Sequence, residues 1–325
     1  MILAGDIGGT HTRLALFEPT EELVLSIEKK YLSQQYKGLE EIVAQFLSEQ
    51  KVKVTAACFG IAGPIINGRA IPPNLAWIVD AAHLSKTFHI PNVHLLNDLQ
   101  ANANGLKALK SSELFLIQKG KQQTGNQALL SAGTGLGEAG LYWNGSKHLP
   151  FASEGGHADF APRNALEIEL FIYLQKKWGH ISYERIVSGP GIHVLYDFLI
   201  QSGKETASKE VELAMKTSDP SAVIGTFGLQ NKDKACSHAL DWFLSLLGAE
   251  AGNLALKFLS LGGLFLGGGI APRLAARFAS SEFLPSFSEK GRFKDLLESI
   301  PIYIVMNDNT ALLGAACFAK ESCSS

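Results

Sequence analysis

Two short glycine-rich turns carry the groups best suited to chemistry. Residues Ile2-Leu3-Ala4-Gly5-Asp6-Ile7-Gly8-Gly9-Thr10 read as a buried strand running into a glycine turn, with His11 to Phe17 as the returning strand. A hairpin tipped by Gly8-Gly9 offers backbone N–H groups to phosphate oxygens with no side chain in the way. Thr10 adds a hydroxyl donor, and Asp6 is a carboxylate at the mouth able to hold Mg2+ through water. The plainer reading is a tight hairpin with a capping aspartate. Leu129-Leu130-Ser131-Ala132-Gly133-Thr134-Gly135-Leu136-Gly137 repeats the pattern: apolar strand, Gly/Thr turn, then a strand-like run to Leu141-Tyr142-Trp143. The repetition suggests a duplicated design in which each half offers one hairpin to the same polyphosphate.

Other segments add acid, amide and imidazole groups. Leu95-Leu96-Asn97-Asp98 is an apolar strand ending in an amide and a carboxylate, where open α/β sheets meet their ligands. Alternatively, Asp98 caps the helix that follows. In Ser153-Glu154-Gly155-Gly156-His157-Ala158-Asp159-Phe160 the two glycines argue against a helix. A loop there lets Glu154 and His157 converge on a small polar ligand, and such groups suit sugar hydroxyls, which both donate and accept. A polar loop with a capping glutamate is the alternative. Glu184-Arg185 offers another carboxylate before Ser188-Gly189-Pro190-Gly191, with a surface ion pair as its default reading. Gly267-Gly268-Gly269 reads as a strand-to-helix turn past which a flat base could slide, or as a plain tight turn.

Gly135-Leu136-Gly137-Glu138-Ala139-Gly140 formally spells a dinucleotide fingerprint, but that motif needs a helix next. Here an aromatic run closes on Asn144-Gly145, a strand entering a hairpin turn. No Gly-Lys-Ser/Thr phosphate loop occurs.

The elements that must position these groups alternate. After the first hairpin, Leu23–Ile27 reads as a third strand; Leu39, Ile42, Val43, Phe46 and Leu47 recur at helical spacing; Val54–Ile61 is a buried strand. Asp80 is placed to cap a helix to about Phe88, before a strand at Val93–Leu96. Then come hairpins near 115–150, a helix around Leu166–Leu174, and a mainly helical stretch from about 190 to 260 stopped by Gly262-Gly263. Strands at Leu264–Leu266 and Ile302–Val305 follow, and a closing helix from Thr310 to Ala319. The order describes mixed sheets with crossover helices.

At 325 residues, 46% apolar and 18% charged, the chain is long enough for two domains of ordinary globular composition. A net charge of −2 gives no basic field for nucleic acid or an anionic membrane. No run is apolar enough to span a bilayer, and no signal peptide is read at the N-terminus. Cys58, Cys236, Cys317 and Cys323 are scattered, which fits a reducing cytoplasm and argues against disulfides or a zinc site. Cys58 and Cys317 read as small core residues.

The chain resembles the bacterial glucokinases of the hexokinase/actin/Hsp70 superfamily over nearly its whole length. The matching segments are Gly5–Thr10, Asn97-Asp98, Gly133–Gly137, Glu154–Pro162, Glu184–Gly191, Gly268–Arg273, Lys290–Lys294, Asp308-Asn309 and Leu312–Gly314. The resemblance implies an α/β, two-lobed ribonuclease H-like (actin-like ATPase) fold, with mixed sheets flanked by helices and a cleft between lobes. The smaller lobe is expected at 1–108, recovering a C-terminal helix at about 307–325, and the larger at 109–306. The resemblance further implies ATP-dependent phosphorylation of glucose at the 6-hydroxyl. Asp98 would be the catalytic base, and Asn97, Asp98, Glu154, His157 and Glu184 would hold glucose. Gly5, Asp6, Ile7, Gly8, Gly9 and Thr10, with Gly133, Thr134, Gly135 and Gly137, would hold ATP phosphates; Gly268 and Gly269 would lie beside adenosine. A homodimer that closes on its sugar is expected. His11 and Glu138 depart from common relatives and could alter nucleotide affinity, and no Cys/His zinc cluster follows His157, unlike in the related sugar-kinase and repressor branch. The alternatives are a kinase for fructose, mannose or an N-acetylated sugar, and a non-catalytic sugar sensor, for which no DNA-reading module precedes Ile2.

Overall fold

Ile2, Leu3 and Ala4 are all buried, as a strand covered on both faces requires. In the computed structural model, which describes residues 1–323, they belong to β1 (Ile2–Ile7). β1 pairs antiparallel with β2 (His11–Glu18), and β2 pairs antiparallel with β3 (Val24–Leu32). β3 runs beyond the expected Leu23–Ile27 because Glu28-Lys29-Lys30, polar and half exposed, hides its strand character. Next, α1 (Leu39–Gln50) buries Leu39, Ile42, Val43 and Phe46. β4 (Ala56–Ile61) lies parallel to β1. Three two-residue strands, β5 (Ile65–Ile66), β6 (Arg69–Ala70) and β7 (Val79–Asp80), form a separate antiparallel sheet too short to leave a sequence period. α2 (Ala81–Phe88) is capped by Asp80, whose carboxylate accepts from the Ala82 and His83 N–H groups at 2.9 and 3.1 Å. β8 (Asn92–Asn97) then runs parallel to β4 and into α3 (Asp98–Gly105).

The next part opens with β9 (Leu114–Gln118), β10 (Gln127–Ala132), β11 (Leu136–Trp143) and β12 (His148–Ser153). Helices α4 (Ala165–Gln175), α5 (Gly189–Gln201), α6 (Lys209–Met215), α7 (Pro220–Leu229) and α8 (Lys234–Phe258) follow. Then come β13 (Gly263–Gly267), α9 (Ala271–Phe278), α10 (Phe283–Ser288), α11 (Lys294–Glu298) and β14 (Ile302–Val305). Two expectations change here. β9 does not hairpin with β10; it pairs antiparallel with β14 at the sheet edge. α8 stops when Leu259 adopts a left-handed conformation (φ 47°), and Gly263 (φ 133°) instead starts β13.

The last helix, α12 (Thr310–Ser322), packs on α3. The contact is so close that a Cβ on Gly314 would stand 1.8 Å from the Ala101 carbonyl oxygen. The helix expected at about 307–325 thus begins at Thr310, and its positions 324 and 325 lie outside the described residues.

The chain divides into two units. The first holds Met1–Glu113, Leu149–Ala152 and the chain from Asn307; the second holds Leu114–His148 and Ser153–Met306. The main sheets have the orders β3-β2-β1-β4-β8 and β12-β11-β10-β13-β14-β9. The second therefore repeats the first, a hairpin followed by two parallel strands, with β9 added. Alternation along β1 and β2 sends Leu3, Ile7, Leu14 and Leu16 to the α1 side and Ile2, Ala4, Ala15 and Phe17 to the α12 side. The second core centres on α8, through Phe243, Leu247 and Leu254. Among the described residues no helix is long and apolar enough to cross a membrane. The four cysteines are unpaired, with Cys58 and Cys317 buried.

Candidate active site

β1, the central strand of the first sheet, runs into a turn that the Gly8 N–H closes by donating to the His11 carbonyl at 2.9 Å. Neither Gly8 nor Gly9 adopts a positive φ, so the turn does not need glycine for its dihedrals. The need is clearance: a Cβ on Gly9 would stand 2.7 Å from Asn74 Cβ, and one on Gly5 2.4 Å from the Phe59 ring. No acceptor among the described residues takes the N–H of Gly9 or Thr10, and Thr10 is exposed. Those two amides are left available to an acceptor from outside the turn.

Asp6 sits two residues before that turn. Burial pushes its carboxyl up to about 6, against the pull of Arg13, with the nearby charges of Asp98 and Glu28 adding to the rise. Arg13, the residue opposite Asp6 in the β1–β2 register, donates to Glu28 Oε1 at 2.8 Å and to the Asp308 carbonyl at 2.8 Å, and also bonds Asn309 Oδ1. Sequence reading missed Arg13; the Asp308-Asn309 match was its only trace.

Asp98 is the first residue of α3, and its Oδ1 accepts the Leu99 N–H at 3.0 Å. The helix cap is Asn97 rather than Asp98: Asn97 Oδ1 accepts from Leu99 at 2.9 Å and Gln100 at 3.3 Å, while Nδ2 donates to the Gly63 carbonyl at 3.2 Å. Asn97 is therefore buried and fixed, and it holds the Asp98 backbone at the positive end of α3. The structure thus brings Asp6, Asp98 and Asn97 into the neighbourhood of the first turn.

The second hairpin is built alike. The Gly133 N–H donates to the Gly135 carbonyl at 2.9 Å, and the Gly133 carbonyl accepts from Gly189 at 2.7 Å, tying the turn to the N-terminus of α5. No acceptor among the described residues takes the Thr134 or Gly135 N–H. Glu184 closes over this turn: its Oε2 accepts the Leu136 N–H at 3.0 Å and would lie 2.4 Å from a Cβ on Gly135. A surface pair with Arg185 does not form, since the Arg185 guanidinium lies 4.8 Å above the Trp178 ring. Gly137 is half-buried within β11.

Glu154 precedes a single 3-10 turn, Gly155–His157, and makes no capping bond with its side chain. Both Glu154 and His157 are exposed, and His157 Nδ1 lies 3.9 Å from Glu184 Oε1. The glycines between them serve clearance rather than bending: a Cβ on Gly156 would stand 2.0 Å from the Leu136 carbonyl. Gly268 (φ 79°) packs likewise on the Ala132 carbonyl, at 2.2 Å from an added Cβ, whereas Gly269 faces open space. The second unit thus groups Glu154, His157, Glu184 and Gly135, with the Gly268 turn against the end of β10. Glu138, by contrast, is buried beneath the Gly155 backbone.

Comparison with known proteins identifies the family and the fold. The family model described as Glucokinase matches residues 3–322. A glucokinase of Trichormus variabilis is 42% identical over 99% of both chains. The crystal structure of a glucokinase from an Antarctic psychrotroph superposes with a TM-score of 0.86 at 32% identity, covering 98% of each chain. A ROK family glucokinase from Streptomyces griseus, solved with glucose and AMPPNP, shares the fold at TM-score 0.68 and 18% identity, covering 98% of this chain and 99% of that one. The α/β, actin-like ATPase fold expected from the resemblance is thereby found, and the chain belongs to the glucokinase family.

Proposed function

We propose that this protein transfers the γ-phosphoryl group of ATP to the 6-hydroxyl of D-glucose, giving glucose 6-phosphate and ADP. The observation that carries the reading is the duplicated hairpin: two glycine turns at equivalent places in two sheets, each presenting unclaimed N–H groups, one beside Asp6 and Asp98 and the other beside Glu184, Glu154 and His157.

In this mechanism Asp98 accepts the proton of the sugar 6-hydroxyl as that oxygen attacks the γ-phosphorus in line. Such help contributes about 10²–10⁴-fold, and most of the remaining acceleration comes from positioning and neutralising charge on the phosphates. Asn97 keeps Asp98 in place through the helix cap and has a second Nδ2 hydrogen for a sugar oxygen. Glu154, His157 and Glu184 bind the sugar hydroxyls with charge-assisted and imidazole hydrogen bonds. The amides of Gly9, Thr10, Thr134 and Gly135 and the Thr10 hydroxyl bind phosphate oxygens, on turns shaped by Gly5, Ile7, Gly8, Gly133 and Gly137; Gly268 and Gly269 leave room for adenosine.

The residues present fit Mg2+. Asp6 is a half-buried carboxylate held up by desolvation and then by the charge of Asp98, an arrangement that a hard cation relieves. Among the described residues no group of three or more His, Cys, Asp or Glu gathers. Asp6 would hold Mg2+ through water, and the ion would supply charge neutralisation at the β- and γ-phosphates.

A panel of glucose, fructose, mannose and N-acetylglucosamine in a coupled ADP-release assay tests the reading: glucose should give the highest kcat/KM. A clear preference for another sugar reassigns the substrate, and no release with any sugar rejects the kinase. The reading extends to a cytoplasmic homodimer, which light scattering would reject by returning the monomer mass.

A further inference from the structure

β11 and α8 each contribute a glutamate to the interior of the second unit. Glu138 is 1% exposed and Glu250 fully buried. The Oε1 atom of each has no hydrogen-bond donor among the described residues, while the two side chains are within hydrogen-bond reach of each other. Two buried carboxyl groups in contact are stable when one carries a proton and donates it to the other.

The surroundings decide which one does. Glu250 has the compensating groups: Asn253 Nδ2 donates to its Oε2 at 2.8 Å, and Lys257 Nζ lies 3.5 Å from its Oε1. Glu138 has burial, and then the charge of Glu250, which together push its carboxyl up to about 8. Glu138 is therefore the member of the pair that keeps its proton at neutral pH. The other groups facing the pair are the Tyr183 phenol, bonded by Asn253 at 3.2 Å, and Lys290, which bonds Asn253 Oδ1 at 2.6 Å. Behind them stand Glu289 and the Arg163–Glu167 ion pair.

The pair is also the seat of the Glu154–His157 turn. A Cβ on Gly155 would stand 2.0 Å from Glu138 Oε2, so the Gly155 backbone rests directly on that carboxyl group. Glu154 precedes Gly155, and His157 follows it after Gly156, which rests on the Leu136 carbonyl. We propose that Glu138 and Glu250, sharing one proton, are positioning residues that seat the Gly155 backbone and so aim Glu154 and His157 at the hexose. The proposal rests on the sugar-binding reading of those two residues. Loss of the shared proton sets two buried negative charges against each other directly beneath the turn and unseats it.

The test is the pH profile of glucose KM, ATP KM and kcat from pH 7 to 9.5 for the wild type, Glu138→Gln and Glu250→Gln, with Glu154→Gln measured at pH 7. In the wild type the competent fraction falls to about a tenth one unit above the transition, so glucose KM rises about tenfold by pH 9 while kcat at saturating glucose holds. In Glu138→Gln the amide donates to Glu250 at every pH, and glucose KM stays flat; Glu250→Gln, which donates to Glu138, is flat as well and serves if the first variant folds poorly. A flat wild-type profile, or folded Gln variants that rise as the parent does, overturns the proposal. If Glu154→Gln leaves glucose KM unaltered, the sugar-binding reading itself has failed. If it raises KM while the Gln variants at 138 and 250 follow the wild type, only the positioning pair has failed.

Discussion

The two hairpins share a backbone plan and differ in chemistry. In each, an antiparallel ribbon ends in a turn closed by its first glycine amide, Gly8 or Gly133, and a parallel strand flanks the first arm. Two residues before that glycine stands Asp6 in the first hairpin and Ser131 in the second. The first hairpin thus holds its own half-buried carboxylate, paired in register with Arg13. The second borrows one, Glu184, which bonds the Leu136 amide beyond the turn. The strand order decides where a ligand can be met, and one side chain decides which chemistry it meets.

The largest effect is expected at the far end of this repeat. β8 and β14 are equivalent strands, and each is followed or ended by an Asn-Asp pair, Asn97-Asp98 and Asn307-Asp308. Asp98→Asn should fold, bind glucose and lose kcat by at least about a hundredfold. Asp308→Asn, at an exposed position, should stay within about twofold of wild type. Equal losses at both would show that the repeat, not the placement of Asp98, accounts for activity.

Asp6→Asn against Ser131→Ala sharpens the contrast at the turns. The first substitution should raise the Mg2+ concentration needed for half-maximal rate by about 10–100-fold, and the second should leave it alone. Titrating Mg2+ at fixed ATP reads both. Glu184→Gln should raise glucose KM by about tenfold, the worth of one charge-assisted bond, with ATP KM little changed. A smaller split is expected within the second turn: Gly133→Ala meets open space, whereas Gly135→Ala drives a methyl into the Glu184 carboxylate. Only the latter should weaken glucose, by a few-fold at about 1 kcal/mol.

A separate effect is on stability. Glu138 stays protonated in the folded chain to about pH 8, far above its usual 4.5. Stability linked to that proton is full below about 4.5 and is lost as pH climbs through about 8. Glu138→Gln, which cannot ionise, should therefore gain in melting temperature on the parent as pH rises from 5 to 9. A constant difference across that range would contradict the buried acid.

Much of this was legible in the sequence because hairpins, caps and buried strands are local. Gly8-Gly9-Thr10, Gly133–Gly135, Asp80 and the Leu264–Leu266 run each announce their element within a few residues. What stayed hidden is what depends on contacts distant in sequence. The pairing of β9 with β14 is set by the second sheet as a whole, and β5–β7 are too short to carry a period. Glycines read as bare turn residues also supply clearance over Asn74, Glu184 and the Leu136 carbonyl. At the candidate site, Asp98, Glu154, His157 and Glu184 could be picked by residue type, but Asn97 as the true cap of α3 could not. Glu138 was visible only as an odd residue in a strand, since Glu250 lies on a distant helix.

Phosphorus NMR of the product formed from ATP and glucose tests the central claim most directly. A single new monoester resonance assigned to glucose 6-phosphate, growing in step with ADP and absent with 6-deoxyglucose, is the predicted result. Phosphate at another hydroxyl, or inorganic phosphate alone, would contradict transfer to the oxygen that Asp98 is proposed to deprotonate.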